Sequence, residues 1–142
     1  MPFGQVPALE VEGGAIVAQS LSIVRYLGAR YNLAGKTPLE HAQVDSLLQS
    51  IDEMRQPASS AYWNKDAAKM QAWKDNDLSK WLTLLEKFCA THSPSKKWLL
   101  SDHMTVADIS LYRELSELRD HPVQGISIND TLAKFPVSEQ TI

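Results

Sequence analysis

Leu9 and Val11 alternate with Glu10 and Glu12, the two-residue period of a half-buried strand. Pro7 stands just ahead of this run. Gly13-Gly14 follows it and predicts a two-residue hairpin turn, because both positions tolerate positive φ. Ala15-Ile16-Val17-Ala18 predicts a short return strand. The period then lengthens: Leu21, Val24 and Leu27, or Ile23 and Leu27, share the inner side of a helix that Ser20 is placed to cap. The stretch from Asn32 to Gly35 stops that helix.

Thr37-Pro38-Leu39-Glu40 then marks a fresh helix start, with a capping threonine, a proline at the first helical position and a glutamate at the third. Val44, Leu47, Leu48, Ile51 and Met54 repeat at helical spacing, so one face is buried and Asp45, Gln49, Asp52 and Glu53 lie on others. Pro57 is expected to bend or break this helix. A further helical region begins near Lys65. It carries Trp73 early and a stripe of Leu78, Trp81, Leu82, Leu85 and Phe88, and it ends before the loop His92-Ser93-Pro94-Ser95. Trp98-Leu99-Leu100 is a short apolar anchor. Thr105 and Asp108 are spaced as a reciprocal cap, with Met104 and Ile109 as a hydrophobic staple across it. That helix runs through Leu111, Leu115 and Leu118 to about Arg119. Beyond His121-Pro122 the pattern is weak. The organisation is α+β and mostly helical: a β-hairpin with one helix over residues 1–33, then a helical domain over residues 37–142.

Composition narrows the partners. The chain has 142 residues, 44% apolar and 22% charged, as in ordinary globular proteins. A net charge of -3 without a basic cluster argues against nucleic acid as a partner. No apolar run is long enough to span a membrane, and the N-terminus lacks a signal-peptide pattern. One cysteine, Cys89, excludes an internal disulfide framework, and a cytoplasmic location is expected.

Candidate chemistry is sparse. Gln19-Ser20 sits at a strand-to-helix junction, where free N–H groups and the positive end of the helix dipole suit a carboxylate. The plain alternative, that Ser20 only caps its helix, is favoured by spacing alone. Val6-Pro7 interrupts strand pairing and can leave backbone groups for an extended ligand. The commoner trans bond gives no such presentation. His41, His92, His103 and His121 show no metal-ligand spacing, so no metal is assigned. Tyr62-Trp63 can line a pocket or pack. Neither a nucleophile motif nor a phosphate-binding glycine loop is present.

Several motifs occur in register. They are Phe3-Gly4-Gln5-Val6-Pro7-Ala8-Leu9-Glu10-Val11, then Gln19-Ser20-Leu21-Ser22-Ile23-Val24-Arg25-Tyr26-Leu27-Gly28, then Gly35-Lys36-Thr37 with Val44-Asp45. Leu100-Ser101-Asp102 and Thr105-Val106-Ala107-Asp108 close the series. Across residues 2–120 this resembles the cytosolic glutathione S-transferases, nearest the tyrosine-type alpha, mu, pi and sigma group. The resemblance implies a partial thioredoxin-like unit followed by an all-α domain. It also implies a cis bond at Pro7, and contact of the Val6 backbone with the cysteinyl part of glutathione. Gln19 and Ser20 would hold the γ-glutamyl carboxylate, and Gln5 would touch the ligand as well. Glu53 stands where the family usually has an aspartate that reaches the γ-glutamyl amine across a dimer interface. Phe3 corresponds to an aromatic key in the partner subunit, and Thr105–Asp108 to a folding cap.

The departures shape the expectation. In such enzymes a strand, a helix, a strand and the thiol-activating tyrosine precede the segment that opens here, and further helices follow. Tyr26, Tyr31, Tyr62 and Tyr112 match other positions, so no catalytic residue is assigned. The implied electrophile pocket draws on the region from Arg55 to Trp63. The expected protein is a transferase truncated at both ends, taking glutathione as co-substrate with a small electrophile, and self-associating, most simply as a homodimer. The alternative is a non-catalytic binding or structural module of the same superfamily.

Overall fold

The computed structural model describes residues 1–95, 97–123 and 125–135. Two short strands, β1 (Ala8–Glu10) and β2 (Ile16–Ala18), pair antiparallel with Ala8 opposite Ala18 and Glu10 opposite Ile16. Val11 donates to the Ala15 carbonyl at 2.8 Å, and the Gly14 N–H closes on the Val11 carbonyl at 3.0 Å. The loop is therefore three residues long, Glu12 to Gly14, not the expected two. Gly13 and Gly14 do adopt positive φ, at 87° and 79°.

Helix α1 (Ser20–Arg30) packs on both strands and on the later helix α5. Gly35, at φ 100°, turns the chain toward α2, and a Cβ there would lie 2.8 Å from the Cβ of Glu40. Helix α2 (Pro38–Trp63) starts as its sequence predicts: the Thr37 hydroxyl accepts from the Glu40 N–H at 3.1 Å. The Glu40 carboxylate accepts in turn from the Lys36 N–H at 2.6 Å.

Pro57 does not end α2. Proline removes one donor and crowds the preceding turn, yet Met54, Ala58 and Ala61 are buried on either side of it. Tertiary packing on both flanks outweighs the local preference. The next region is more segmented than its apolar stripe suggests. Asp66 caps α3 (Ala67–Ala72) by accepting from the Lys69 N–H at 2.9 Å. A π-helical segment (Trp73–Leu78) joins α3 to α4 (Ser79–His92). Trp73, 1% exposed, donates its indole N–H to the Met54 carbonyl at 2.8 Å and ties this segment to α2.

The anchor before α5 is buried at Leu99 and Leu100. Helix α5 (Val106–Asp120) packs along α2, and α6 (Asn129–Leu132) follows in the weakly patterned tail. Ile128, Thr131 and Leu132 are buried, and Lys74 pairs with Asp130 at 2.8 Å. The core runs from Val44 to Leu132, with Leu21, Val24 and Leu33 packed against its edge. No helix among the described residues is long and apolar enough to cross a membrane.

Candidate functional site

The antiparallel register does the first positioning. With Ala8 opposite Ala18, the chain just before β1 runs beside the chain just after β2. Val6-Pro7 and Gln19-Ser20 therefore share one end of the hairpin, and Gln5, Val6, Pro7, Gln19 and Ser20 are all exposed there. The Val6–Pro7 bond is cis, as the family resemblance implies and against the commoner trans form.

Ser20 is not the cap expected of it. Gln19 holds that position at φ 73° and ψ 126°, and no side chain caps the helix. The first helical bond runs from the Ile23 N–H to the Gln19 carbonyl at 3.0 Å. The amides of Ser20, Leu21 and Ser22 thus have no helical acceptor. An uncapped, exposed helix start flanked by an amide and a hydroxyl is a fitting seat for a carboxylate. A non-glycine residue at positive φ beside it is the kind of local strain that clusters at ligand sites.

Glu53 is elsewhere. It is exposed on α2, eight residues beyond Asp45, or about 12 Å along the helix axis. Asp45 itself pairs with Arg25 of α1, so the two elements meet there. Its neighbour Asp52 accepts from Arg55 at 2.8 Å and from Gln56 at 2.9 Å. Burial works to raise the Asp52 pKa, but those hydrogen bonds outweigh it and hold the carboxyl below its ordinary value. Phe3 is 65% exposed.

Thr105 and Asp108 do form the reciprocal cap of α5. The Asp108 carboxylate accepts from the N–H of Thr105 at 2.7 Å, from its hydroxyl at 2.9 Å and from the N–H of Leu99 at 2.7 Å. Met104 and Ile109 remain 39% and 42% exposed, so the expected staple buries little. The Val106 N–H donates to the Leu33 carbonyl at 2.9 Å, which ties the segment after α1 to the first turn of α5.

A second feature was legible in the sequence on one side only. Between the C-terminal halves of α2 and α5 lies a cleft of about 560 Å³, within the range of small-molecule pockets. Arg55, Tyr62 and Trp63 line it from α2, and Arg113, Glu114 and Glu117 from α5. Tyr62 and Trp63 meet edge to face, with ring centroids 5.2 Å apart. Glu114 is buried and accepts from Arg113 at 3.0 Å. Burial raises its pKa above the ordinary value, with Glu117 adding to the rise and Arg113 and Arg55 opposing it. The sequence named Arg55 to Trp63 as one wall; the α5 wall lies some fifty residues on, and no local period joins the two.

A small sheet and helix docked on an all-α body define a class: a partial thioredoxin-like unit joined to a helical C-terminal domain. The family model described as "Glutathione S-transferase, C-terminal domain" matches residues 52–138. The chain is 41% identical over 143 aligned positions to hematopoietic prostaglandin D synthase of Gallus gallus, covering 96% of this chain and 70% of that protein. It is 37% identical to glutathione S-transferase 1 of Ascaris suum, covering 81% of this chain and 58% of the relative. The crystal structure of the glutathione S-transferase from Ascaris lumbricoides superposes with a TM-score of 0.77 at 30% identity, over 99% of this chain and 68% of that one. The chain belongs to the glutathione S-transferase family. It spans little more than half the length of several curated relatives that it matches.

Proposed function

We propose that this chain carries the γ-glutamyl and cysteinyl half of a glutathione site, and that the whole protein conjugates glutathione to electrophilic small molecules. The observation behind this reading is the shared end of the hairpin, where exposed Val6 lies beside an uncapped α1 that begins at Gln19 and Ser20. The free amides of the first turn and the Ser20 hydroxyl bind the γ-glutamyl carboxylate, and the Gln19 amide orients it. The Val6 backbone pairs with the cysteinyl unit as an added strand would. Gln5 and Pro7 shape the same edge. Glutathione itself supplies the thiol nucleophile.

Two parts of the site lie outside this half. Glu53 serves the amine of a ligand on a second subunit, with Phe3 as a contact of the same homodimer. Thiol activation falls to none of the tyrosines here: Tyr26 accepts from Arg30 on α1, Tyr31 follows the last turn of α1, Tyr62 lies on α2 and Tyr112 on α5. The cleft between α2 and α5 receives the second ligand. The similarity to a prostaglandin D synthase favours, as a second reading, a prostaglandin-forming reaction by the whole protein.

Retention on immobilised glutathione tests the half-site. The chain is expected to bind and to elute with free glutathione, and the Gln19→Ala, Ser20→Ala double variant to pass through. Equal retention of both would sink the reading. Conjugation of a chromogenic electrophile by this chain alone would refute the claim that it holds no thiol activator.

A further inference from the structure

From the outer edge of β1 and the groove beside it, we infer that a second copy of this chain adds to the sheet there, with the two β1 strands antiparallel about Leu9 and the two α1 helices side by side on one face. This self-contact is apart from the one assigned to Phe3 and Glu53, and it does not rest on the glutathione half.

Hydrogen-bond parity decides what that edge offers. Glu10 stands opposite Ile16, so the next pair is Val11 with Ala15, and the Val11 N–H donates to the Ala15 carbonyl at 2.8 Å. Bonded and non-bonded pairs alternate along an antiparallel ladder. Leu9 and Val11 therefore turn their backbone groups toward β2, and Ala8 and Glu10 turn theirs away from it. Among the described residues the sheet has two strands, so no third strand meets those outward groups. A row of such groups is a template for another strand.

The groove makes β1, and not β2, the joining edge. It holds about 210 Å³ and is lined by Leu9 and Val11 on one side and by Tyr26, Leu27, Arg30 and Tyr31 on the other, with no residue of β2. Its apolar side chains are half-buried or exposed, and Gly28 is the one buried residue among positions 1–33. Paired strands lie about 4.8 Å apart, which sets the middles of two joined hairpins about 10 Å apart. Packed helices have that spacing, so two α1 helices close their grooves over one four-stranded sheet. Charge selects the register. Symmetry about Glu10 would set Glu10 against the partner's Glu10 and repel. Symmetry about Ala8 would leave one bonded pair within the strands. Symmetry about Leu9 sets each Ala8 opposite the partner's Glu10, forms four ladder bonds, and brings the two Leu9 side chains together across the groove.

The test places thiols in the full chain. Leu9→Cys brings two sulfurs to a non-hydrogen-bonded pair, whose Cα atoms lie about 4.5 Å apart, within disulfide range. Under a mild oxidant it is expected to give a covalent dimer that peptide mapping shows to be linked between the two positions 9. Glu10→Cys, which faces the partner's Ala8, is expected to give little, and the parent, with Cys89 as its one thiol, controls for other linkages. Should Leu9→Cys disturb the hairpin, Glu10→Pro reads the same contact, because it removes an outward N–H and no bond to β2. Two ladder bonds are then lost per pair, so self-association in light scattering is expected to weaken about tenfold, with circular dichroism unchanged. Scattering is read in a Phe3→Ala background, so that the contact assigned to Phe3 does not mask this one. Single chains throughout a concentration series, cross-linking through Glu10→Cys as fast as through Leu9→Cys, or association that ignores Glu10→Pro would overturn the proposal. Glutathione retention is a separate measurement, so failure of the half-site and failure of this contact are told apart.

Discussion

Every buried apolar side chain of the core comes from the region between Val44 and Leu132, whereas the hairpin and α1 bury only Gly28. The helical region has its own hydrophobic interior and a cap network to match. The first thirty residues have a two-stranded sheet, a helix with no side-chain cap, and one side resting on α5. A two-stranded hairpin is marginal in water by itself. The contrast separates the core from the proposed site: the polar and backbone groups proposed to hold glutathione lie in the region that contributes least to the core. That region keeps its helix start uncapped while α1 docks on α5 and Leu21, Val24 and Leu33 pack against the core.

The largest expected perturbation is in the helical body. Asp108→Ala strands the buried N–H groups of Leu99 and Thr105 and removes the α5 cap. Each such loss costs about 1–3 kcal/mol, so urea titration is expected to show a drop of about 3 kcal/mol. A drop below 1 kcal/mol would deny that the cap sustains this region.

Gly28→Leu is aimed at the junction. Even a Cβ at Gly28 would sit 3.0 Å from Cγ1 of Val106. The larger side chain is expected to weaken docking of α1 by about 2 kcal/mol, the usual scale of overpacking. Faster proteolysis in residues 31–36 with little change in the melting of the helical body would show the two regions parting. A common collapse of both would show that they fold as one.

Glu114→Gln has a smaller effect and a defined sign. Burial raises the folded-state pKa of Glu114 above the ordinary 4.5, so its favourable contribution is present below about that value and lost as pH rises through the folded-state pKa. The glutamine variant is expected to melt slightly higher than the parent at pH 7 and to lose that advantage at pH 4. A lower melting temperature at pH 7 would mean that the Arg113 contact outweighs burial.

Ser20→Ala should be the quietest. With no cap bond to lose, its stability is expected to stay within about 0.5 kcal/mol of the parent, even as glutathione retention falls. A loss of 1 kcal/mol or more would return Ser20 to the role of a cap.

Legibility in the sequence followed the range of the forces. The start of α2 at Thr37-Pro38 and the Thr105–Asp108 cap rest on contacts within four residues and were readable. Passage of α2 through Pro57 depends on where Ala58 and Ala61 pack, which no local rule carries. The π-helical segment is fixed by the bond from Trp73 to Met54, nineteen residues apart. Helix α6 lacks a side-chain cap and is held by burial of Ile128 and by Lys74, so its sequence is unmarked. At the hairpin end, residue identities were readable, but the failure of Ser20 to cap was not, because it follows from the positive φ of Gln19.

The bond from the Val106 N–H to the Leu33 carbonyl gives the molecule an internal gauge. Amides in the first turn of a helix have no helical acceptor and ordinarily exchange with solvent quickly. This one is shielded only while the chain after α1 lies against α5. Its deuterium uptake therefore counts separations of the two regions, while amides in the middle of α5 count global opening. The ratio of the two rates measures at a single atom how tightly the recognition region is moored, and a ligand seated on α1 should slow the first more than the second.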